Sequence, residues 1–250
     1  MTLSLTKNYR IFFSNIGYAK GINGCLKQHL LYSYRHVYCP PHTQEKVLAQ
    51  IDNLIEKEDP DLCCFVEIDQ ALNQLSRLSG RYNFSDIENK YGQNSWLRNL
   101  AATKGKSNAF MAKTATNFEK IYFDYGIKRL IYKINLEENL TIFFAHFSLN
   151  KSMRHKQLLQ VKQLFSETKG EIIFLGDFNI LTGLQELNPL LGEDLILIND
   201  PTKTTFNFHR SFLLLDLCLC TKKIAPLLNL TIHPQPYSDH AALTLDIRHC

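Results

Sequence analysis

The sequence predicts an α+β domain in which two packed β-sheets carry their helices on the outside. About ten short apolar runs, rich in β-branched and aromatic residues, recur along the chain with turn residues between them. Only two stretches keep a convincing helical periodicity. No repeat, low-complexity tract or composition shift divides the 250 residues, so 1–250 reads as one domain.

In chain order, Arg10–Ile16 is the first strand. A helix follows, with Thr43 as its cap, Val47, Leu48, Ile51, Leu54 and Ile55 on one face, and Pro60 as its stop. Leu62–Ile68 is the second strand, and Gln70–Leu78, with Gly80 beyond it, is a weaker helix. Ala109–Ala112, Lys120–Tyr125, Arg129–Leu136 and Leu140–Phe147 read as strands, the last two joined by a hairpin turn at Glu137-Glu138-Asn139. Leu158, Leu159, Val161, Leu164 and Phe165 give the second strong helix its face, and it ends near Gly170. Ile172–Leu175, Phe212–Cys220, Leu228–Ile232 and Ala242–Ile247 complete the strands.

A composition of 45% apolar and 21% charged residues excludes disorder as the main state. No apolar run approaches the roughly 20 residues of a membrane span, and Met1–Arg10 lacks the basic-then-apolar pattern of a signal peptide. Cys63 and Cys64 sit within an apolar run, and Cys218 and Cys220 alternate with leucines, as core residues do. With seven cysteines, an odd number, the expectation is a reducing, cytoplasmic setting without disulfides. A net charge of +4 tolerates a polyanionic partner without demanding one.

The informative residues are those that end the strands. Ile11-Phe12-Phe13 runs into Ser14-Asn15, and Leu62–Val66 runs into Glu67. Ile142–Ala145 runs into His146, and Ile172–Leu175 into Gly176-Asp177-Phe178-Asn179. If these strands share a sandwich, their ends converge on one rim, where ligands collect. Asp216 lies inside the run Phe212–Leu219, where a carboxylate needs a cation, a metal or hydrogen-bond donors. Ser238-Asp239-His240, just before the last strand, offers a histidine as its partner. An Asp–His pair orients the imidazole and stabilises its protonated form. Glu67 and Asp239 are hard oxygen ligands of the kind that hold Mg²⁺ beside phosphate. A lone polar residue at a strand end is usually a cap or a solvated terminus. Gly-Asp-Phe-Asn arises by chance in about 1 of 1,000 chains of this length, Ser-Asp-His in about 1 of 50, so the joint order carries the reading.

Other patterns carry less. Gly17, Gly21 and Gly24 precede no Gly-Lys-Ser/Thr, which excludes a nucleotide P-loop. Cys25, His29, His36, Cys39 and His42 match no standard zinc spacing and read as a loop bordering the site, packed down by Tyr32, Tyr34 and Tyr38. Trp96, Arg98, Lys104, Lys106 and Lys113 interleave basic and aromatic side chains around Lys106-Ser107-Asn108, which reads first as a solvated loop leading into a strand and second as a contact for a nucleic-acid backbone. Lys151, Arg154, His155 and Lys156 follow the His146 strand, where a helix N-terminus holds phosphate.

In their order, Asn15, Glu67, His146, Gly176-Asp177-Phe178-Asn179, Asp216 and Ser238-Asp239-His240 resemble the endonuclease/exonuclease/phosphatase superfamily. Ala145-His146-Phe147-Ser148-Leu149, followed by Arg154 and Gln157, is similar to that family's Thr-His-Leu strand and Arg-x-x-Gln helix. The resemblance implies the deoxyribonuclease I-like fold: a four-layer α/β/β/α sandwich of two mostly antiparallel sheets. It also implies a site on one rim and Mg²⁺ or Mn²⁺ as cofactor. By the same resemblance Glu67 is the principal metal ligand, with Asn15 beside it and Asp239 completing the metal environment. Asp177 and Asn179 position phosphate and water, with a second metal at Asp177 left open; His240, oriented by Asp216, is the base or a phosphate contact, and His146 contacts a phosphate oxygen or assists the leaving group. Arg154, Lys151 and Asn108 are candidate substrate contacts. The chain departs from the pattern at Val66, where the family often has Gln, and in the long segment Gly17–His42. The strand carrying Asp216 also has leucines and cysteines where the family often has aromatics.

The expected activity is Mg²⁺-dependent phosphoester hydrolysis, of nuclease type on a DNA or RNA backbone. The alternatives are a phospholipid head-group or inositol-phosphate phosphodiesterase or phosphatase, and a catalytically silent binding module of the same fold. Nucleic acid is the expected partner ahead of lipid, and the oligomeric state is taken as monomer.

Overall fold

A strand covered on both faces is apolar at every position, and its neighbours in the fold decide which residues face which layer. The computed structural model describes residues 5–78, 80–192 and 194–249; Cys250 and the first four residues of the opening segment lie outside that range. In chain order come β1 (Tyr9–Asn15), α1 (Leu26–Tyr32), α2 (Pro41–Glu58), β2 (Leu62–Asp69), β3 (Phe84–Asn89) and β4 (Lys106–Ala112). Then follow β5 (Asn117–Tyr122), β6 (Leu130–Glu137), β7 (Leu140–His146), α3 (Lys151–Ser166) and β8 (Glu171–Asp177). The last part holds β9 (Leu195–Leu197), β10 (Phe206–Phe208), β11 (Ser211–Leu213), β12 (Asp216–Thr221), β13 (Leu228–His233) and β14 (Ala242–Ile247).

One six-stranded sheet has the order β13-β14-β1-β2-β4-β3 and the other β5-β6-β7-β8-β12-β9, while β10 and β11 form a separate hairpin. All pairings are antiparallel except β1 with β2 and β7 with β8. A parallel pair needs a crossover, and α2 and α3 supply the two. Ile11, Phe13, Cys64, Phe110, Tyr132, Phe144, Leu175 and Cys218 pack together between the sheets. Phe12, Cys63 and Phe65 face outward onto Val47, Leu48, Ile51 and Ile55 of α2, and Phe143 and Phe174 face Leu158, Val161 and Phe165 of α3. The layers are therefore helix, sheet, sheet, helix. Cys63, Cys64, Cys218 and Cys220 are buried as free thiols.

Thr43 does not cap α2: the helix starts at Pro41, whose missing N–H costs nothing at a first position, and Thr43 is buried in the first turn. Asp59 in the left-handed region closes α2 before Pro60. Asn150 caps α3 by accepting the Met153 N–H at 3.1 Å. Gln70–Leu78 is not one helix but two short 3₁₀ turns, because Asn73 between them is left-handed, with φ 51°. The run Phe212–Cys220 divides at Leu214-Leu215, where the Thr205 hydroxyl accepts the N–H groups of Leu215 and Asp216 at 3.0 and 2.8 Å. Among the described residues no helix is long and apolar enough to cross a membrane.

Candidate active site

Period two carries the core into the site. Inward residues of β1 are Ile11, Phe13 and then Asn15; of β7, Ile142, Phe144 and then His146; of β8, Ile173, Leu175 and then Asp177. Because β1 runs parallel to β2 and β7 to β8, the C-terminal ends of these four strands lie on the same rims of their sheets. β12 runs the other way and starts there, with Asp216 directly opposite Asp177. Glu67 would face α2 in a regular strand. A bulge between Phe65 and Ile68, with Glu67 itself left-handed at φ 57°, re-aims it.

Asp177 is the hub. Its Oδ2 accepts from Asn15 Nδ2 at 2.9 Å, lies 3.0 Å from His146 Nε2 and 3.8 Å from His240 Nε2. Its Oδ1 accepts the Asn179 N–H at 3.1 Å. Asn179, also left-handed, donates its own amide to the Phe147 carbonyl at 3.0 Å, which braces the turn. Asp216, fully buried, accepts from His240 Nδ1 at 2.8 Å, and the His240 N–H donates to Ser238 Oγ at 3.1 Å. His146 Nδ1 lies 3.8 Å from Glu67 Oε1 and has no closer partner, while Lys128 Nζ contacts its Nε2. Lys90 Nζ lies 3.6 Å from Glu67 Oε1 and contacts the Tyr18 hydroxyl.

These contacts separate the charges. Burial works against an ionised Glu67, but Lys90, His146 and Lys128 outweigh it and hold the carboxyl at about 2. Asp177 is likewise held below its ordinary value, with burial overcome by His146, His240 and Lys128. Burial and Lys128 push His146 down to about 4, so it is neutral at pH 7. His240 goes the other way: burial opposes its charge, but Asp216 and Asp177 raise it to about 10. Two histidines on one rim thus hold opposite protonation states, the pattern by which acid and base roles are divided.

Among the described residues, Asp177, Asp216 and His240 bring ligand atoms within 4.8 Å of one another and form a group that could hold a metal. Asp216 and His240, however, already engage each other. Glu67 and Asp239 instead line one cavity of about 270 Å³ with Gly17, Tyr18, Lys20 and Tyr237. Burial raises the Asp239 carboxyl, His240 opposes the rise, and Glu67 adds to it. Two carboxylates thus face one cavity, which His29 and His36 also line, and the Asn15 amide oxygen accepts the N–H of Gly17 at its edge at 3.1 Å; hard oxygen ligands of this kind suit a divalent cation.

The remaining expected residues divide. Asn108 is buried opposite the Glu67 bulge with neither side-chain polar atom partnered. Arg154 is directed away from the site: its guanidinium is buried and donates to Glu186 at 2.9 and 2.5 Å and to the Ser148 and Leu149 carbonyls. Lys151 is exposed and lines a separate hollow with His155 and Glu186. The basic and aromatic cluster also scatters, since Arg98 pairs with Glu88 and Lys113 with Asp59. Sequence reasoning missed Lys90, Lys128 and Tyr18. It also missed Asn199, whose amide bonds the Asp216 carbonyl at 3.1 Å and the Cys218 N–H at 2.7 Å.

The Endonuclease/Exonuclease/phosphatase family matches residues 23–240. No curated protein matches the sequence. Among solved structures, D. rerio TDP2 in complex with a single-strand DNA product is similar at a TM-score of 0.67, with 15% identity over 96% of this chain and 98% of that one. The human Nocturnin catalytic domain with bound sulfate is similar at 0.62, with 18% identity over 99% of this chain and 97% of that one. An endonuclease/exonuclease/phosphatase from Beutenbergia cavernae is similar at 0.67, with 14% identity over 97% and 72%.

Proposed function

Because the chain belongs to the endonuclease/exonuclease/phosphatase family, whose members are phosphoester hydrolases, we propose that it is a Mg²⁺- or Mn²⁺-dependent phosphodiesterase. The observation that carries this reading is the convergence of Asn15, His146 and His240 on one ionised carboxylate, Asp177, beside the Glu67 and Asp239 cavity.

Glu67 and Asp239, with Asn15, would hold the cation, which when bound polarises the phosphoryl group. The protein's own residues do the rest. Asp177, kept ionised, accepts a hydrogen bond from the attacking water and fixes its direction, and the Asn179 N–H keeps the carboxylate in place. His240, held as an imidazolium by Asp216, donates from Nε2 to a phosphate oxygen as charge develops there. The Lys128 side chain, and Lys90, which burial pulls down to about 7 against the pull of Glu67, face the same rim and favour a phosphate that gains charge in the transition state, with neutral His146 beside them.

Two substrate classes suit this rim. A nucleic-acid backbone is supported by the net charge of +4 and by similarity to a protein bound to a single-strand DNA product. A phospholipid head group is the second reading, favoured by the apolar surface of α1 beside the site. The chemistry is tested on a diester that belongs to neither class. Glu67→Ala and His240→Ala are expected to lower turnover of bis-p-nitrophenyl phosphate by about 100-fold or more while the circular dichroism spectrum stays that of the wild type. Near-wild-type turnover by both variants would remove the assignment.

A further inference from the structure

The helix α1 buries none of its side chains. Leu26 and Leu31 are exposed, Leu30 is 71% exposed, and beyond the helix Val37 is 95% exposed. The β10–β11 hairpin continues this surface with Phe208 and with Phe212, which is 62% exposed. The two elements are joined: the His29 and Phe208 rings meet at 4.6 Å, and the His209 N–H donates to the Gly24 carbonyl at 2.7 Å. They also border the catalytic rim. The Asn207 N–H donates to the Asp239 carbonyl at 2.9 Å, and the Phe206 ring lies 4.8 Å from that of His240.

The segments that build this surface carry charge of one sign, and the Asp239 carboxylate borders them on the rim side. Residues 1–44 contain no Asp or Glu, and neither do residues 201–215. Lys27, Arg35 and Arg210 lie within these segments, beside the exposed leucines and phenylalanines. A patch of aliphatic and aromatic side chains whose own segments carry only cations is the composition that settles at the boundary between head groups and acyl chains of an anionic bilayer. A single-stranded nucleic acid could stack on Phe208 and Phe212 but would leave Leu26, Leu30, Leu31 and Val37 in water, whereas a bilayer takes in both kinds of side chain. A second copy of this chain would set cations against cations.

We propose that α1, the segment after it and the tip of the β10–β11 hairpin form a docking face for an anionic lipid surface. The face holds the rim carrying Asp239 and His240 against that surface. The inference rests on the phosphodiesterase reading only in making a lipid head-group ester the substrate to try first.

The experiment is co-sedimentation of the full chain with phosphatidylcholine vesicles, with and without phosphatidylserine. Wild type is expected to pellet with the phosphatidylserine vesicles and far less with phosphatidylcholine alone. Leu30→Ser combined with Val37→Ser should weaken that binding by about tenfold or more, since each change removes apolar surface that would enter the lipid. Both side chains are solvent-facing and outside the catalytic residues, so hydrolysis of soluble bis-p-nitrophenyl phosphate should not change. Three results would overturn the proposal: no pelleting of wild type with either vesicle, equal pelleting of the double variant, or loss in that variant of single-stranded oligonucleotide binding or self-association with vesicle binding intact. A protein that pellets normally yet cleaves no diester would refute the phosphodiesterase reading and leave the docking face standing.

Discussion

Asp177 gathers partners from three directions of the fold, and each is reached by a rule of local structure. Asn15 and His146 arrive because the inward row of a strand continues for one residue past its apolar core. That makes Asn15, His146 and Asp177 readable from the sequence as polar residues at the ends of apolar runs, and Asp216 as a carboxylate inside one. Lys90 and Lys128 were not readable, because a long cationic side chain entering from a turn leaves no periodicity. Arg154 shows the opposite error. Its place after the His146 strand was visible, but its partner Glu186 lies 32 residues away and belongs to no strand or α-helix. The two side chains are 1% and 5% exposed, so Arg154 is a core cation that cannot be left alone. Burial resists the Glu186 charge, but the Thr182 hydroxyl and N–H and the Arg154 guanidinium hold its carboxyl below the ordinary value. A depressed folded value means stabilisation that is complete above the unfolded value and lost as pH falls through the folded one. Glu186→Gln is therefore expected to cost about 3–5 kcal/mol at neutral pH and progressively less below about pH 4. Urea denaturation of both proteins across that range checks it, and equal stability at pH 7 would contradict the reading.

At the scale of elements, the β-α-β crossovers through α2 and α3 were legible because each helix has an apolar face and each strand an uninterrupted core. The weak helix at Gln70–Leu78 was not distinguishable from two turns, since periodicity over nine positions does not reveal a left-handed Asn73. Helix α1 leaves no helical signal in the sequence for a physical reason: a helix that buries nothing has no buried face to imprint on its residues. The tyrosines expected to pack that segment down do not all do so, as Tyr34 and Tyr38 are exposed. What fixes the segment is Gly24. Its φ is +79°, and a Cβ there would lie 1.6 Å from the Asn207 carbonyl oxygen. Gly24→Ala must both strain the backbone and open the contact with the hairpin. The expected outcome is a loss of about 1–3 kcal/mol in thermal unfolding, with weaker vesicle pelleting. A variant as stable as wild type would show that the two elements are not coupled through this glycine.

For the whole molecule, the helix–sheet–sheet–helix layering and the order of rim residues followed from apolar runs, two helical faces and the resemblance to a family, whereas the short or half-exposed strands β3, β9 and β10 did not stand out and β11 was not separable from β12. Strand order within each sheet did not, because pairing depends on contacts between distant segments that periodicity does not encode. For the same reason the meeting of Asp239 with Glu67 at one cavity was expected only through the family resemblance and not from any pattern within the chain. The proposed phosphodiesterase chemistry at that cavity and Asp177 requires a bound divalent cation. The direct measurement is hydrolysis of bis-p-nitrophenyl phosphate by protein stripped with chelator, before and after Mg²⁺ or Mn²⁺ is returned, with Asp177→Ala alongside. Activity absent after stripping, restored by either cation in wild type and lower by about 100-fold or more in the variant is the predicted result. Hydrolysis that persists without metal, or that Asp177→Ala carries out as well as wild type, would contradict it.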